Sequence, residues 1–365
     1  MKLLDWCVGR ILLFPGRFRR PAEKPVPEEV NRVLIIRPGG LGDAVLLVPM
    51  IRQLKETFPQ ATIDVLAEGR NAGVFKMAPD SAIRRVYCYD TAPWRWWGIL
   101  KADRYDLVFD TEQWHLLNAF IAASLNAPCR IGFDTNPLRR HCYTKMVAYR
   151  HDEFEGISFL NMLRAVTGRM HRWDWSRPFL ALPREEADWA RRLLEGRNAA
   201  AVALGGSIRE RRLEEGKLLR LVSLLLERGF SVCLIGSKQE APLAERIEGS
   251  CQGTSLINMA GKTSILQTAA LLRASTVFIG ADSGLMHLAY GLGTPVVALF
   301  GSGIEEKWAP PGGLVRVLNR HLPCSPCTRF GYTPACPIHV RCLQEIPAQE
   351  IAAAASDLLL PRREG

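Results

Sequence analysis

Residues 32–54 read RVLIIRPGGLGDAVLLVPMIRQL. VLIIR (Val33–Arg37) has the length and β-branched content of a buried strand. RPGGLGD (Arg37–Asp43) supplies turn chemistry, and the apolar residues after it recur at helical spacing. A strand, a glycine loop and a helix in direct succession make a βα unit, the building block of a parallel sheet.

The same rhythm extends outward. Ala61–Glu68, Arg84–Asp90, Asp106–Thr111 and Arg130–Asp134 are further strand candidates, and LKETF, NAGVFKMA and HLLNAFIAASLNA between them carry helical spacing. After the Pro- and Trp-containing stretch Trp173–Pro183 the pattern restarts with Ala199–Gly205, Ser231–Ser237, Thr276–Asp282 and Pro295–Gly301. The spacing predicts an α/β protein of two Rossmann-like domains facing across a cleft. Residues 31–175 form the first domain and 176–345 the second. A last helix within 346–365 starts at Ala348 and carries an Ala/Leu face suited to crossing back onto the first domain. Residues 1–30 stand apart. Leu4, Trp6, Val8, Ile11 and Leu12 share one helical face, basic FPGRFRR follows, and a Pro-rich linker runs over Ala22–Val30. Such an extension either lies on an anionic membrane surface or packs against the body of the protein.

A chain of 365 residues, 48% hydrophobic and 23% charged, has material for two cores and is neither disordered nor collagen-like. Its net charge of +10 favours anionic partners. The basic residues lack the module patterns of nucleic-acid binding, so no nucleic-acid partner is expected. Ten cysteines are too dilute for a disulfide scaffold, and no secretory signal precedes them, which points to the cytoplasm. Apolar runs such as Thr294–Gly301 fall short of the roughly 20 residues that span a bilayer.

Three strand ends carry chemistry. In the first loop Gly39, Gly40 and Gly42 allow close approach of a ligand, though not in dinucleotide spacing. Asp43 either caps the following helix or acts as a general base toward a hydroxyl. In GADSGLMHLA (Gly280–Ala289), Asp282 and Ser283 are caps, and the amides of Ser283, Gly284 and Leu285 can cradle a diphosphate. His287 either donates to that group or packs. In GGSIRERR (Gly205–Arg212), Ser207 is a phosphate donor and Arg209, Arg211 and Arg212 offer positive charge, unless the cluster is simply a solvated face. WRWW (Trp94–Trp97) can stack on sugar, touch lipid or pack. Cys324, Cys327, Cys336 and Cys342 form C-x2-C-x8-C-x5-C, compatible with structural Zn but better with packed thiols or a redox pair; Cys88 and Cys233 read as core residues.

RVLIIRPGGLGDAVLLVPMIRQLKETFPQATIDVLAE together with FIGADSGLMHLAYGLGTPVVALFG resembles glycosyltransferase family 9, the lipopolysaccharide heptosyltransferases, over residues 32–360. The resemblance implies a GT-B fold and inverting transfer, with no catalytic cofactor, of a sugar from a nucleotide donor, typically ADP-heptose, to a lipopolysaccharide core acceptor. It implies an anionic glycolipid partner at the cytoplasmic face of the inner membrane. By motif, Asp43 resembles the family's base and Glu240, closing LIGSKQE, the acidic residue at the donor ribose. Asp282, Ser283, Gly284, Leu285 and His287 match the diphosphate motif, and Gln113 the recurrent acceptor-side Gln. Arg211 falls where a K-x-W-P-like segment usually places a phosphate-binding Lys; here the segment reads RRLEE. A nucleotide-sugar epimerase and an inactive nucleotide-sugar-binding relative are the alternatives.

Overall fold

The computed structural model describes Gly9, Leu13 and residues 25–359, apart from 79–81, 92, 252, 254 and 330, with the backbone alone for 93–95. The chain forms two compact units, residues 1–173 and 174–365.

The first unit is built on β1 (Arg32–Arg37), α1 (Leu41–Thr57), β2 (Thr62–Ala67), β3 (Ile83–Cys88), α2 (Pro93–Ala102), β4 (Leu107–Asp110), α3 (Leu116–Ser124), β5 (Cys129–Phe133), β6 (Lys145–Val147) and α4 (Glu155–Thr167). Its parallel sheet runs β3-β2-β1-β4-β5-β6, with Val33 beside Ile63 and Ile35 beside Phe109. Val33–Ile36 are buried on both faces, as a central parallel strand requires. The chain leaves β1 for one edge, returns to β4, and leaves for the other edge. The carboxyl ends of β1 and β4 therefore flank the point where the winding reverses, the place where such sheets bind ligands.

The second unit repeats this plan. It comprises α5 (Arg184–Leu193), β7 (Ala199–Ala203), α6 (Glu215–Glu227), β8 (Ser231–Ile235), α7 (Ala241–Ser250), β9 (Leu256–Asn258), α8 (Ile265–Ala274), β10 (Val277–Ala281), α9 (Gly284–Gly291), β11 (Val296–Phe300), β12 (Val315–Asn319) and α10 (Ala348–Asp357). The sheet order β12-β11-β10-β7-β8-β9 is again parallel, with its reversal between β7 and β10. β7 reads AAAVA. Alanine is a poor strand former, yet full burial at the centre of the sheet overrides propensity.

Two expectations need correction. The terminal helix does not leave the second unit: Ile351, Ala352 and Ala355 are buried in one core with Leu218, Leu221 and Leu225 of α6. Its small Ala face lets α10 lie close on α6 and on β10 and β11. The boundary falls between Trp173 and Asp174, and α10 belongs to the domain that was expected to end at 345. Most of the predicted N-terminal helix and the FPGRFRR segment lie outside the described residues. Gly9 and Leu13 are helical and packed on the first unit, Gly9 against Leu116 and Leu13 among Trp96, Leu100 and Leu116. Among the described residues no helix is long and apolar enough to cross a membrane.

Candidate active site

At the reversal point of the first sheet, Gly39 adopts φ +88°, a conformation open to glycine and strained for other residues, and turns the chain into α1. Asp43 is not the cap of that helix. Gly40 holds the cap position without a side-chain bond, and Asp43 sits inside the first turn. The Asp43 carboxylate folds back over Gly40, with Oδ2 only 2.4 Å from where a Cβ would stand. Its Oδ1 faces Nη1 of Arg37 at 3.7 Å and accepts from Nε2 of Gln113 at 3.3 Å.

Arg37, at the end of β1, is 1% exposed and donates to Pro38 O, Thr111 O and Glu112 Oε2, each at 2.7 Å. Gln113 also donates to Oε1 of Glu155 at 2.5 Å, and Tyr149 Oη donates to Oε2 of Glu155 at 3.0 Å. Behind them a fully buried Arg139 pairs with Asp110 at 3.0 Å, and Tyr143 donates to the same carboxylate. Burial raises the Asp110 carboxyl despite the opposing pull of Arg139. One rigid polar network thus supports Asp43 and Gln113 from beneath.

In the second unit Glu240, after β8, accepts from the backbone N–H of Ser237 at 2.9 Å and its hydroxyl at 2.6 Å. The side chain lies against Gly205, where a Cβ would meet it at 2.7 Å. Arg212 faces Glu240 at 3.7 Å and donates to Gly206 O at 2.9 Å, while Ser207 is exposed on the same loop. Across the reversal point Arg211 pairs with Asp282 at 2.7 Å and reaches Thr328 Oγ1 at 3.5 Å. α9 begins at Gly284, and Ser283 caps it with no side-chain bond, contrary to the capping expected of Asp282 and Ser283. Asp282 is drawn to Arg211 instead. The buried Ser283 Oγ and Arg211 Nε have no hydrogen-bond partner among the described residues. Ser283 directly precedes Gly284 and Leu285, whose N–H groups take no side-chain cap from it. His287, 1% exposed, packs edge-on to Trp308 one turn further along.

Residues 94–333 match glycosyltransferase family 9 (heptosyltransferase). The chain belongs to this family. It is 26% identical to lipopolysaccharide heptosyltransferase 3 of Escherichia coli over 74% of this chain and 83% of that one. Its fold is that of ADP-heptose lipopolysaccharide heptosyltransferase II of E. coli, with TM-score 0.71, 21% identity and coverage of 90% and 98% of the two chains. The E. coli heptosyltransferase WaaC solved with ADP-2-deoxy-2-fluoro heptose gives TM-score 0.67 at 17% identity, over 89% and 99%.

In each unit of this family 9 glycosyltransferase the fold groups residues that the sequence singles out. Gly39, Gly40, Gly42 and Asp43 follow β1, and Gln113 after β4 reaches Asp43; Ser207 and Arg211 follow β7, Glu240 follows β8, and Asp282, Ser283, Gly284, Leu285 and His287 follow β10. Arg37, Glu112, Tyr149 and Glu155 were missed. Arg37 carried a signal, a charge ending an apolar strand; Glu155 carried none. Of the WRWW cluster, Trp96 is core and donates to Tyr89 O, and Trp97 stacks on Phe120; the Trp94 side chain lies outside the described residues. Cys324, Cys327, Cys336 and Cys342 line one small cavity with Ser302 and Glu210. Among the described residues no group of three or more His, Cys, Asp or Glu side chains is placed to hold an ion. Burial, then Cys336, pushes the Cys342 thiol up to about 11.

Proposed function

We propose that this enzyme moves a heptosyl group from ADP-heptose onto a lipopolysaccharide core acceptor, with inversion, at the cytoplasmic face of the inner membrane. The observation that carries the reading is the pair of buried donors with no partner among the described residues, Ser283 Oγ at the start of α9 and Arg211 Nε on the turn after β7, which pairs with the neighbouring Asp282, in a member of this family. A diphosphate satisfies both and takes the first N–H groups of the helix. Ser207 and His287 complete the donors to the diphosphate, and Glu240 accepts from the ribose.

The Asp43 carboxylate removes the acceptor proton as that oxygen attacks the anomeric carbon. The bond from that carbon to the diphosphate breaks, and ADP leaves with the electron pair. Positive charge at Arg211 stabilises the departing group. No step requires a cofactor. Structural Zn at the four cysteines is a separate proposal: about one Zn per chain in protein purified without chelator, with a shift of the four thiols into tetrahedral reach, supports it, and metal well below that removes it.

The test is full-length protein with ADP-heptose and Kdo-lipid A. A product heavier by one heptose, with the anomeric centre inverted by NMR, supports the proposal. Conversion of donor in the absence of acceptor gives the epimerase reading instead, and binding of ADP with no turnover gives the inactive relative.

A further inference from the structure

Glu155 is fully buried at the first residue of α4, and both its oxygens are engaged, Oε1 by Gln113 and Oε2 by Tyr149. Gln113 lies between two carboxylates, Glu155 and Asp43. Both contacts are made by Nε2 of the Gln113 amide, 2.5 Å from Oε1 of Glu155 and 3.3 Å from Oδ1 of Asp43. That fixes which way the amide faces, and its Oε1 is turned away from both carboxylates. We infer that Glu155 is a positioning residue for the transfer: it locks the Gln113 amide so that one N–H holds Asp43 and the carbonyl oxygen is presented to a neighbouring hydroxyl of the acceptor sugar, not the one Asp43 deprotonates. This rests on the proposed role of Asp43 and deepens it.

Through Gln113, Tyr149 and Arg37, Glu155 joins a network of charged groups drawn from several elements. Arg37 comes from β1, Asp43 from α1, Asp110 and Glu112 from β4 and the turn after it, Arg139 from the turn before β6, and Tyr149 from the segment before α4. Two guanidinium groups thus face four carboxylates, and Tyr149, pushed far up by burial and by Glu155 and Asp43, stays a donor. Neutralising Glu155 removes one negative charge from the surroundings of the base and frees the Gln113 amide to turn over.

The test compares Glu155→Gln, Glu155→Asp and Asp43→Asn in full-length protein, reading kcat, acceptor KM, ADP affinity by calorimetry and the pH profile of kcat/KM. Expected for Glu155→Gln are a kcat lower by about 10–100-fold, ADP affinity unchanged, and an acidic limb moved to lower pH by about half a unit or more. Glu155→Asp keeps the charge and withdraws the oxygens by one methylene, so its limb stays in place while kcat falls. A Glu155→Gln enzyme with kcat within about twofold of wild type and an unmoved limb overturns the inference. If that variant does not fold, Glu155→Asp decides alone, and near-normal kcat in it is equally fatal. An active Asp43→Asn enzyme instead brings down the underlying reading of the base, whatever Glu155 does.

Discussion

Asp103 shows how single side chains tie the first sheet together. Arg32, opening β1, donates to Asp103 at 2.9 Å, and Arg84 of β3 reaches the same carboxylate at 3.3 Å. The hydrogen bond from Arg32 holds the Asp103 carboxyl below its ordinary value. A depressed folded-state pKa contributes stability that is fully present above the unfolded value of about 4 and is lost as pH falls through the folded value. Asp103→Asn should therefore melt below wild type at pH 7, and the two melting curves should converge below about pH 4. A gap that persists in acid would show that the contact acts through packing rather than charge. At this scale the Gly-rich loop and the Asp-Ser-Gly turn were legible because loop chemistry is local. The Arg37–Glu112 pair was not, because its partners are 75 residues apart in sequence.

Among elements, what sequence reading missed follows a rule. β6, β9 and β12 went unpredicted, and they are three of the four edge strands, β3 being the one that was read. β6 and β9 have three residues each, and β12 is half-exposed along its length, so none carries a continuous apolar run. The central strands, buried on both faces, were read correctly from their apolar content. Helix α10 was located correctly and given the wrong neighbour, since an Ala face records that a helix packs closely but not on what. Leu13 makes the same point for the N-terminal extension. It is 2% exposed in the first unit's core beside α2 and α3. Leu13→Ala should cost about 2–4 kcal/mol in denaturant unfolding, and a loss under about 1 kcal/mol would remove that segment from the core.

At the scale of the whole molecule the proposed function divides the labour between the two units. The donor groups Arg211, Glu240, Asp282 and Ser283 belong to the second unit, and Asp43, Gln113 and Glu155 to the first. Glu240→Ala should weaken ADP binding about tenfold or more, as loss of a charged hydrogen-bond acceptor does. Asp43→Asn should keep ADP affinity within about twofold while turnover falls by about 10²-fold or more. Calorimetry and steady-state rates on the same preparations separate the two effects; weakened ADP binding in Asp43→Asn would contradict the division. The net charge of +10 acts over the entire surface and suits an anionic acceptor, but it assigns no residue.

The ion pair of Arg211 with Asp282 bears on how donor binding responds to solution conditions. Arg211 arrives with its own counter-ion built into the fold, 5% exposed and 2.7 Å away. An incoming diphosphate meets a neutralised pair, so its attraction comes from short-range contacts at the helix start rather than from a bare cation acting through solvent. Few dissolved anions need to be expelled when the nucleotide lands. The dissociation constant for ADP should then rise by less than about threefold between about 0.05 and 0.5 M salt, a range over which bare phosphate-binding cations are strongly screened. A steep salt dependence would mean that Asp282 lets go of Arg211 before the donor arrives.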